Sequence, residues 1–372
     1  MMTAPSTLRF AQFNLSLAGR KAGDIKSQMQ APTPSRQIKN LAATLQRVRP
    51  DVVVLCEFDH PGDGGDDGAL AAFCERHLAK SQDGDPPIDY PYRYLPATNT
   101  GLKLTVPVSA HPRLADAQQC HGFGDYHGQF GFVIISRYPI EDTAIRTWQH
   151  FAWHQLPHHQ IPSDYYTEAA KKKLRLASKN LVSVPISIGD QQIRLVACHP
   201  TPPVFDGPEK RNWRRNSDEL HQLVGLLDNA DWLEDDKGVC GGLSSEIPFV
   251  VIGDLNADPS YGDGDKQAIG ALLNHPRVHP DVATGAQVPK SEAAQSHAFR
   301  FIDGKGRAIA THNGGLRLDY VLPSRELAVL VSGVFWPAPD DADYPLICDK
   351  NGQEHARAHS DHRLVWVDVA LN

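Results

Sequence analysis

The sequence lacks most of the short signatures that assign a chemistry at sight. It has no Walker loop, no serine-nucleophile motif and no H-E-x-x-H helix. Those absences set aside P-loop nucleotide hydrolysis, triad acyl transfer and helix-borne zinc proteolysis. Six cysteines are present, Cys56, Cys74, Cys120, Cys198, Cys240 and Cys348, but none forms a C-x-x-C pair. A zinc ribbon and a thioredoxin-like redox motif are therefore not expected, while a disulfide among the six stays open. No stretch approaches the ~20 apolar residues of a membrane span. Residues 1–6 lack a basic segment followed by an apolar one, so no signal peptide is expected. The expected location is the cytoplasm, or outside the cell for a chain whose export signal has been trimmed. An excess of positive charge is missing too. Lys and Arg number 37 against 44 Asp and Glu, a net charge of −7, which leaves no footprint for tight nonspecific nucleic-acid binding. No internal repeat or low-complexity segment breaks the chain.

What remains is an ordinary globular composition, 41% hydrophobic and 22% charged over 372 residues. Such a chain can bury a large core, and its length alone suggests about two domains. The most informative stretch is Pro248 to Asp258. Phe249 to Ile252 form a short β-branched run that reads as a strand buried on both faces, and Gly253 ends it. Asp254 and Asn256 then emerge where the strand hands over to a loop, the place where open α/β sheets bind ligands. An Asx-turn is the plain alternative for Gly-Asp-x-Asn.

The same pattern of a buried strand followed by a polar residue recurs along the chain. Leu8 to Leu17 reads as a strand with Asn14 near its end, and Val52 to Cys56 as a strand that delivers Glu57. A carboxylate in that place needs a partner, either a salt bridge or a metal ion. Ile38, Leu41, Leu45 and Val48 predict a helix ended by Pro50, and another is expected over Ala69 to Lys80. Between them, His60 to Gly68 reads as a solvated turn rather than a calcium loop. The segment Asn99 to Gln129 reads as one long loop, of the kind that is often functional. Trp148 to Tyr166 is aromatic and His-rich, and could rim a pocket or form a satellite apolar cluster.

Leu181 to Ile188 and Gln192 to Cys198 predict a hairpin around Gly189-Asp190, with His199 and a run of prolines after it. Glu209 to Leu227 reads as a helix whose first turns carry Arg211, Arg214, Arg215 and Asn216. That cluster could meet phosphate oxygens or lie on the surface. Leu316 to Leu322 reads as a strand with Asp319 inside it, Val329 to Trp336 as its neighbour, and Asp361-His362 as the entry to a last strand.

Set side by side, these residues converge in chemistry. Carboxylate and amide oxygens suit a hard cation, and a histidine beside an aspartate suits phosphate contact or acid/base work. At this point Phe13-Asn14, Leu55-Cys56-Glu57, Ile135 to Ile140, Cys198-His199-Pro200, Gly253-Asp254-Leu255-Asn256, Leu318-Asp319-Tyr320 and Ser360-Asp361-His362 together resemble the endonuclease/exonuclease/phosphatase superfamily. This is the group of deoxyribonuclease I, apurinic endonucleases, sphingomyelinases and inositol-polyphosphate phosphatases. The segment His199 to Glu209 with the arginines after it resembles a bacterial branch of it.

The resemblance implies a four-layer α/β sandwich, two packed mixed β-sheets flanked by α-helices, as one catalytic domain over 8–372 rather than two. It implies Glu57 as principal metal ligand, with Asn14 and Asp361 close to the cation. Mg2+ is the first expectation, with Mn2+ or Ca2+ as alternatives. Asp254 would orient or deprotonate the attacking water, and Asn256 would bind phosphate. His362 would face the phosphate with Asp319 supporting its ring, and His199 would contact phosphate or act as an acid. Arg211, Arg215 and Asn216 are the expected substrate-binding group. The function expected is a metal-dependent phosphoester hydrolase of a small substrate. A DNA or RNA nuclease is the alternative, and a non-catalytic binding protein the remote one.

Overall fold

A computed structural model describes residues 7–109 and 114–371. Residues 1–6, read above for a signal peptide, and 110–113 of the long loop lie outside the described residues. The strands are β1 (Thr7–Leu17), β2 (Val52–Phe58), β3 (Tyr92–Tyr94), β4 (Phe132–Ser136), β5 (Arg146–Thr147), β6 (Leu181–Ile188), β7 (Gln191–Cys198), β8 (Phe249–Asp254), β9 (Asp319–Pro323), β10 (Ala328–Val334) and β11 (Val365–Ala370). They form a six-stranded sheet ordered β10-β11-β1-β2-β4-β3 and a five-stranded sheet ordered β5-β6-β7-β8-β9. Both are mixed: β1–β2 and β7–β8 are parallel pairs and the other ladders antiparallel.

The period of two along each strand sorts side chains into layers. Leu8, Phe10, Val52, Val54 and Ile134 of the first sheet pack against Val184, Ile186, Leu195, Ile252 and Val321 of the second. The opposite face of the first sheet, with Ala11, Phe13, Val53 and Leu55, takes Ile38, Leu41 and Leu45 of the helix Arg36–Val48. The outer face of the second, with Val196, Phe249, Val251 and Leu322, takes Leu220, Leu223 and Leu227 of the helix Arg211–Leu227. The result is the four-layer sandwich. Each fully buried aliphatic or aromatic side chain contributes about 1.5–3 kcal/mol of transfer free energy, so the inter-sheet layer resists being opened.

This layering also creates the site. Along β1, Leu8, Phe10, Gln12 and Asn14 share the inter-sheet parity, and the first two lie in the inter-sheet core. Gln12 and Asn14 continue that row as buried polar residues toward the strand's carboxyl end. Along β8, Val250 and Ile252 give way to Asp254 in the same manner. The polar ends of both rows meet between the sheets.

Several expected elements differ. β9 begins at Asp319, which pairs across the ladder with Asp254, instead of enclosing it. β10 pairs with β11 in the first sheet, not with β9. The segment after Ala69 is one α-turn (Ala69–Ala72) running into a π-helical turn (Phe73–Leu78). The loop Asn99 to Gln129 is tied by isolated bridges, Thr100 to Gly122 and Lys103 to Cys120. Trp148, Phe151, Trp153 and Tyr166 are buried in the outer cluster of the second sheet, so this stretch is core rather than a pocket rim. All six cysteines are free. Among the described residues no helix is long and apolar enough to cross a membrane.

Candidate active site

His362 is the centre of the arrangement. Its Nδ1 lies 2.8 Å from Asp319 Oδ2, and its Nε2 lies 3.8 Å from Asp254 Oδ2. Asp319 is fully enclosed and is held from two more sides. Gln12 Nε2 donates to Oδ1 at 2.7 Å and Thr311 Oγ1 donates to Oδ2 at 2.7 Å. Burial works against a charged ring, but Asp319, Asp254 and Asp361 outweigh it and push the His362 pKa well above its ordinary value. The ring is thus kept as an imidazolium by carboxylates that cannot move away.

The Asp254 pKa is raised as well, which for a carboxyl favours the neutral form. Burial pushes its carboxyl up to about 7, opposed by the His362 cation and reinforced by Asp319. It accepts hydrogen bonds from Asn14 Nδ2 at 3.0 Å and from the Asn256 backbone N–H at 3.0 Å. His199 Nε2 lies 3.6 Å away, on a ring whose pKa burial drives well below its ordinary value. A buried carboxyl that titrates near neutrality can take a proton from water at the pH where it works.

Asn14 bridges the two sheets through its nitrogen. Nδ2 donates to Glu57 Oε1 at 3.2 Å as well as to Asp254, while Oδ1 accepts the Ser16 backbone N–H at 3.0 Å. Asn14 therefore acts as a clamp on two carboxylates, and its oxygen is already engaged. Glu57 is partly open to solvent, and burial raises its pKa against the pull of His362 and Asn14. Asp361 is held by the Ser16 hydroxyl. Its carboxyl is lowered, because His362, Ser16 and His312 outweigh its desolvation. Ser16, Glu57 and Asn256 all have left-handed backbones, with φ of 49°, 54° and 52°. Non-glycine residues adopt that region at a cost, and it recurs at functional sites.

The donor set fits a hard divalent cation. Glu57, Asp254 and Asp361 are oxygen donors, and each of the first two has a pKa raised by burial, the mark of negative charge short of compensation. The tight clusters among the described residues are Asp254 with Asp319 and His362, and His312 with Asp361 and His362. Glu57 joins them through Asn14.

The substrate-binding group read from the sequence is distributed differently. Arg215 is buried, donates to the carbonyls of Leu176 at 2.8 Å and Arg175 at 2.7 Å, and stacks over Trp153. Asn216 is fully buried and donates to the carbonyls of Thr201 at 2.8 Å and Leu255 at 3.0 Å. Both tie loops together, because this face of the helix lies against the sheet. Arg211 is partly exposed, paired with Glu209 and stacked 5.1 Å over the Tyr165 ring. Asn256 is also partly exposed, with Nδ2 donating to the Pro200 carbonyl at 3.1 Å.

Two residues at the site were not among the candidates. Lys179 is only 5% exposed. Its ammonium makes no hydrogen bond among the described residues, and burial lowers its pKa against Glu219, Glu57 and Asp254. His312 faces Asp361 and His362. Neither follows a buried strand, so the pattern that found the others passes over them.

Residues 11–362 match the model of the Endonuclease/Exonuclease/phosphatase family, and the chain belongs to that family, whose members hydrolyse phosphoester bonds. Its fold is shared with an endonuclease/exonuclease/phosphatase from Beutenbergia cavernae DSM 12333, 18% identical, over 99% of this chain and 72% of that one, with a TM-score of 0.52. It is shared as well with an endonuclease/exonuclease/phosphatase family protein from Leptotrichia buccalis C-1013-b, 16% identical, over 98% and 100% of the two chains, at a TM-score of 0.51. At these identities the likeness is one of fold. No curated protein matches the sequence.

Proposed function

We propose that the protein is a divalent-cation-dependent hydrolase of a small phosphoester, working as one catalytic domain over residues 8–372. The observation that carries this reading is His362 fixed between Asp319 and Asp254, an imidazolium facing a carboxyl that titrates near neutrality. Asp254 orients the attacking water and takes its proton. The His362 cation, its ring held by Asp319, faces the phosphoryl oxygens as charge builds on them. Asn256 spends one N–H on Pro200 and has a second for a phosphoryl oxygen. Lys179 adds positive potential at Glu57 and Asp254, and His199, 3.6 Å from Asp254, is a further phosphate contact. Glu57 and Asp361 are the residues that would hold the cation, most simply Mg2+, which would neutralise charge on the phosphoryl oxygens when bound. Arg211 is the remaining candidate for a second anionic group of the substrate.

A small substrate is favoured over a polynucleotide by charge. A net charge of −7 means the chain carries no overall excess of Lys and Arg of the kind that supplies affinity for a phosphate backbone. The test is a panel of phosphomonoesters, phosphodiesters and plasmid DNA with Mg2+, Mn2+ or Ca2+, each with and without chelator. Turnover of a small ester with weak salt dependence, lost in chelator, is expected. Efficient plasmid nicking that falls steeply with salt would move the protein to the nuclease branch, and full activity in chelator would remove the cation.

A further inference from the structure

His312 sits in the loop before β9 and is pinned to the segment that carries Asp361 and His362. It forms an antiparallel bridge with His362. On either side of it the Asn313 N–H donates to the Asp361 carbonyl at 2.8 Å, and the Arg363 N–H to the Thr311 carbonyl at 2.7 Å. The two imidazoles meet edge to face, centroids 4.9 Å apart. A ring nitrogen of each and a carboxylate oxygen of Asp361 lie within 4.8 Å of one another.

That cluster has the composition of a mixed nitrogen and oxygen metal site, but the hydrogen bonding argues otherwise. The Gly314 backbone N–H donates to His312 Nδ1 at 3.0 Å. A nitrogen that accepts a hydrogen bond presents its lone pair, so in the neutral ring the proton is on Nε2. A metal ligand at Nε2 would need the lone pair there instead. The approach of Gly314 depends on its lacking a side chain, since an added Cβ would overlap the Phe301 ring and stand 3.0 Å from Nδ1. Nε2 lies 3.9 Å from Asp361 Oδ2, beyond hydrogen-bond reach. Nε2 makes no hydrogen bond among the described residues, and the side chain retains 18% of its exposure. A core histidine with both nitrogens satisfied would look different.

We propose that His312 is a third histidine of the active site, a fixed Nε2–H donor to a phosphoryl oxygen of the substrate. This rests on the phosphoester reading above. The role differs from that of His362, which is held charged by its carboxylates: His312 offers a neutral donor whose direction the backbone sets. It adds orientation at the reacting group without another cation to desolvate.

The test has two independent parts. In long-range 1H–15N spectra of the wild-type protein, with the His312 signals assigned by their loss in His312→Gln, the Nε2–H tautomer is expected, and inorganic phosphate should shift it. The Nδ1–H tautomer, or a signal indifferent to phosphate that moves instead with Zn2+ or Mn2+ alone, overturns the proposal. In kinetics, His312→Ala should lower kcat/KM by about 100-fold, the scale of one lost oxyanion donor, while His312→Gln, which keeps an N–H near the same place, should recover at least about a tenth of the wild-type value. Equal losses in folded Ala and Gln variants, or no loss in either, overturn it. If no phosphoester in the panel is turned over, the hydrolase reading falls while the spectra still decide whether His312 meets phosphate.

Discussion

Thr311 shows how much of this site depends on groups that never touch a substrate. Its hydroxyl donates to Asp319 Oδ2 and accepts the backbone N–H groups of Leu318 at 2.9 Å and Asp319 at 3.1 Å. Thr311→Val keeps the shape and strands two buried donors, each costing about 1–3 kcal/mol. Denaturant unfolding should show a loss on that scale, and Thr311→Ser should restore it. The reacting groups themselves should respond in rate beyond any change in stability. Asp254→Asn and His362→Ala are each expected to lower hydrolysis by about 100-fold or more, measured as kcat per folded protein on the best ester of the panel. A near-wild-type rate in either removes that residue from the chemistry. At this scale the sequence was legible wherever a polar residue ended an apolar β run, as with Glu57 and Asp254. It was opaque at Lys179, because a lysine in a loop reads as solvated. It was opaque at His312 too, where the direction of an N–H depends on a neighbouring glycine and leaves no pattern in the chain.

Elements place these residues, and Gly253 is where placement is tightest. It pairs with Tyr320 of β9, one residue before Asp254, and an added Cβ would overlap the Cys198 carbonyl oxygen of β7. Gly253→Ala should push β8 off β7 at the point where His199 faces Asp254, so activity should fall further than the loss of stability accounts for. Comparing specific activity with the folded fraction at one temperature distinguishes the two. Strands and the two large helices were readable from hydrophobic period, since burial on both faces leaves continuous β-branched runs. The partner of β10 was not. Successive runs suggest a hairpin with β9, but β9 carries Asp319 into the second sheet while β10 returns to the first. The arginines of the helix Arg211–Leu227 are divided by a feature that charge alone does not show: Arg211 stays partly exposed, whereas Arg215 and Asn216 are polar residues on the face that packs inward, where they donate to backbone carbonyls. Arg215→Ala should accordingly lower the unfolding midpoint and leave the salt dependence of KM unchanged.

The whole molecule stores an unusual number of neutral histidines. Burial holds His60 at about 4, and His121 and His312 each at about 3, and it drives His199 and His359 well below their ordinary value. Unfolded, all five take up protons as the pH drops below 6.5, whereas the folded chain refuses them until far lower. Their stabilisation is therefore complete above that pH and is lost on acidification. Asp59, at about 6, and Asp254, at about 7, act in the other direction, because folded carboxyls there retain protons that unfolded ones have released. Asp51, Glu57 and Asp343, raised by burial, act with these carboxyls, and so do His221 and His362, whose folded rings stay protonated above pH 6.5, while His77 joins the lowered histidines. Between pH 7 and pH 5 it is the lowered histidines that the unfolded chain protonates most fully, so the melting temperature should fall over that range. A flat or rising profile would mean these rings are not neutral in the folded protein. The strand pairing has a consequence on another timescale. β1 lies between β2 and β11, in register from Thr7–Ala370 to Gln12–Val365. On the ribosome, at about 5–20 residues per second, β1 waits until the chain through β11 has been made before its second neighbour exists. Asp319, Asp361 and His362 likewise follow Asn14, Glu57 and Asp254 in order of synthesis. A nascent chain can carry Asn14, Glu57 and Asp254 and still be inert, so the site is assembled only after Asp361 and His362 have emerged to join it.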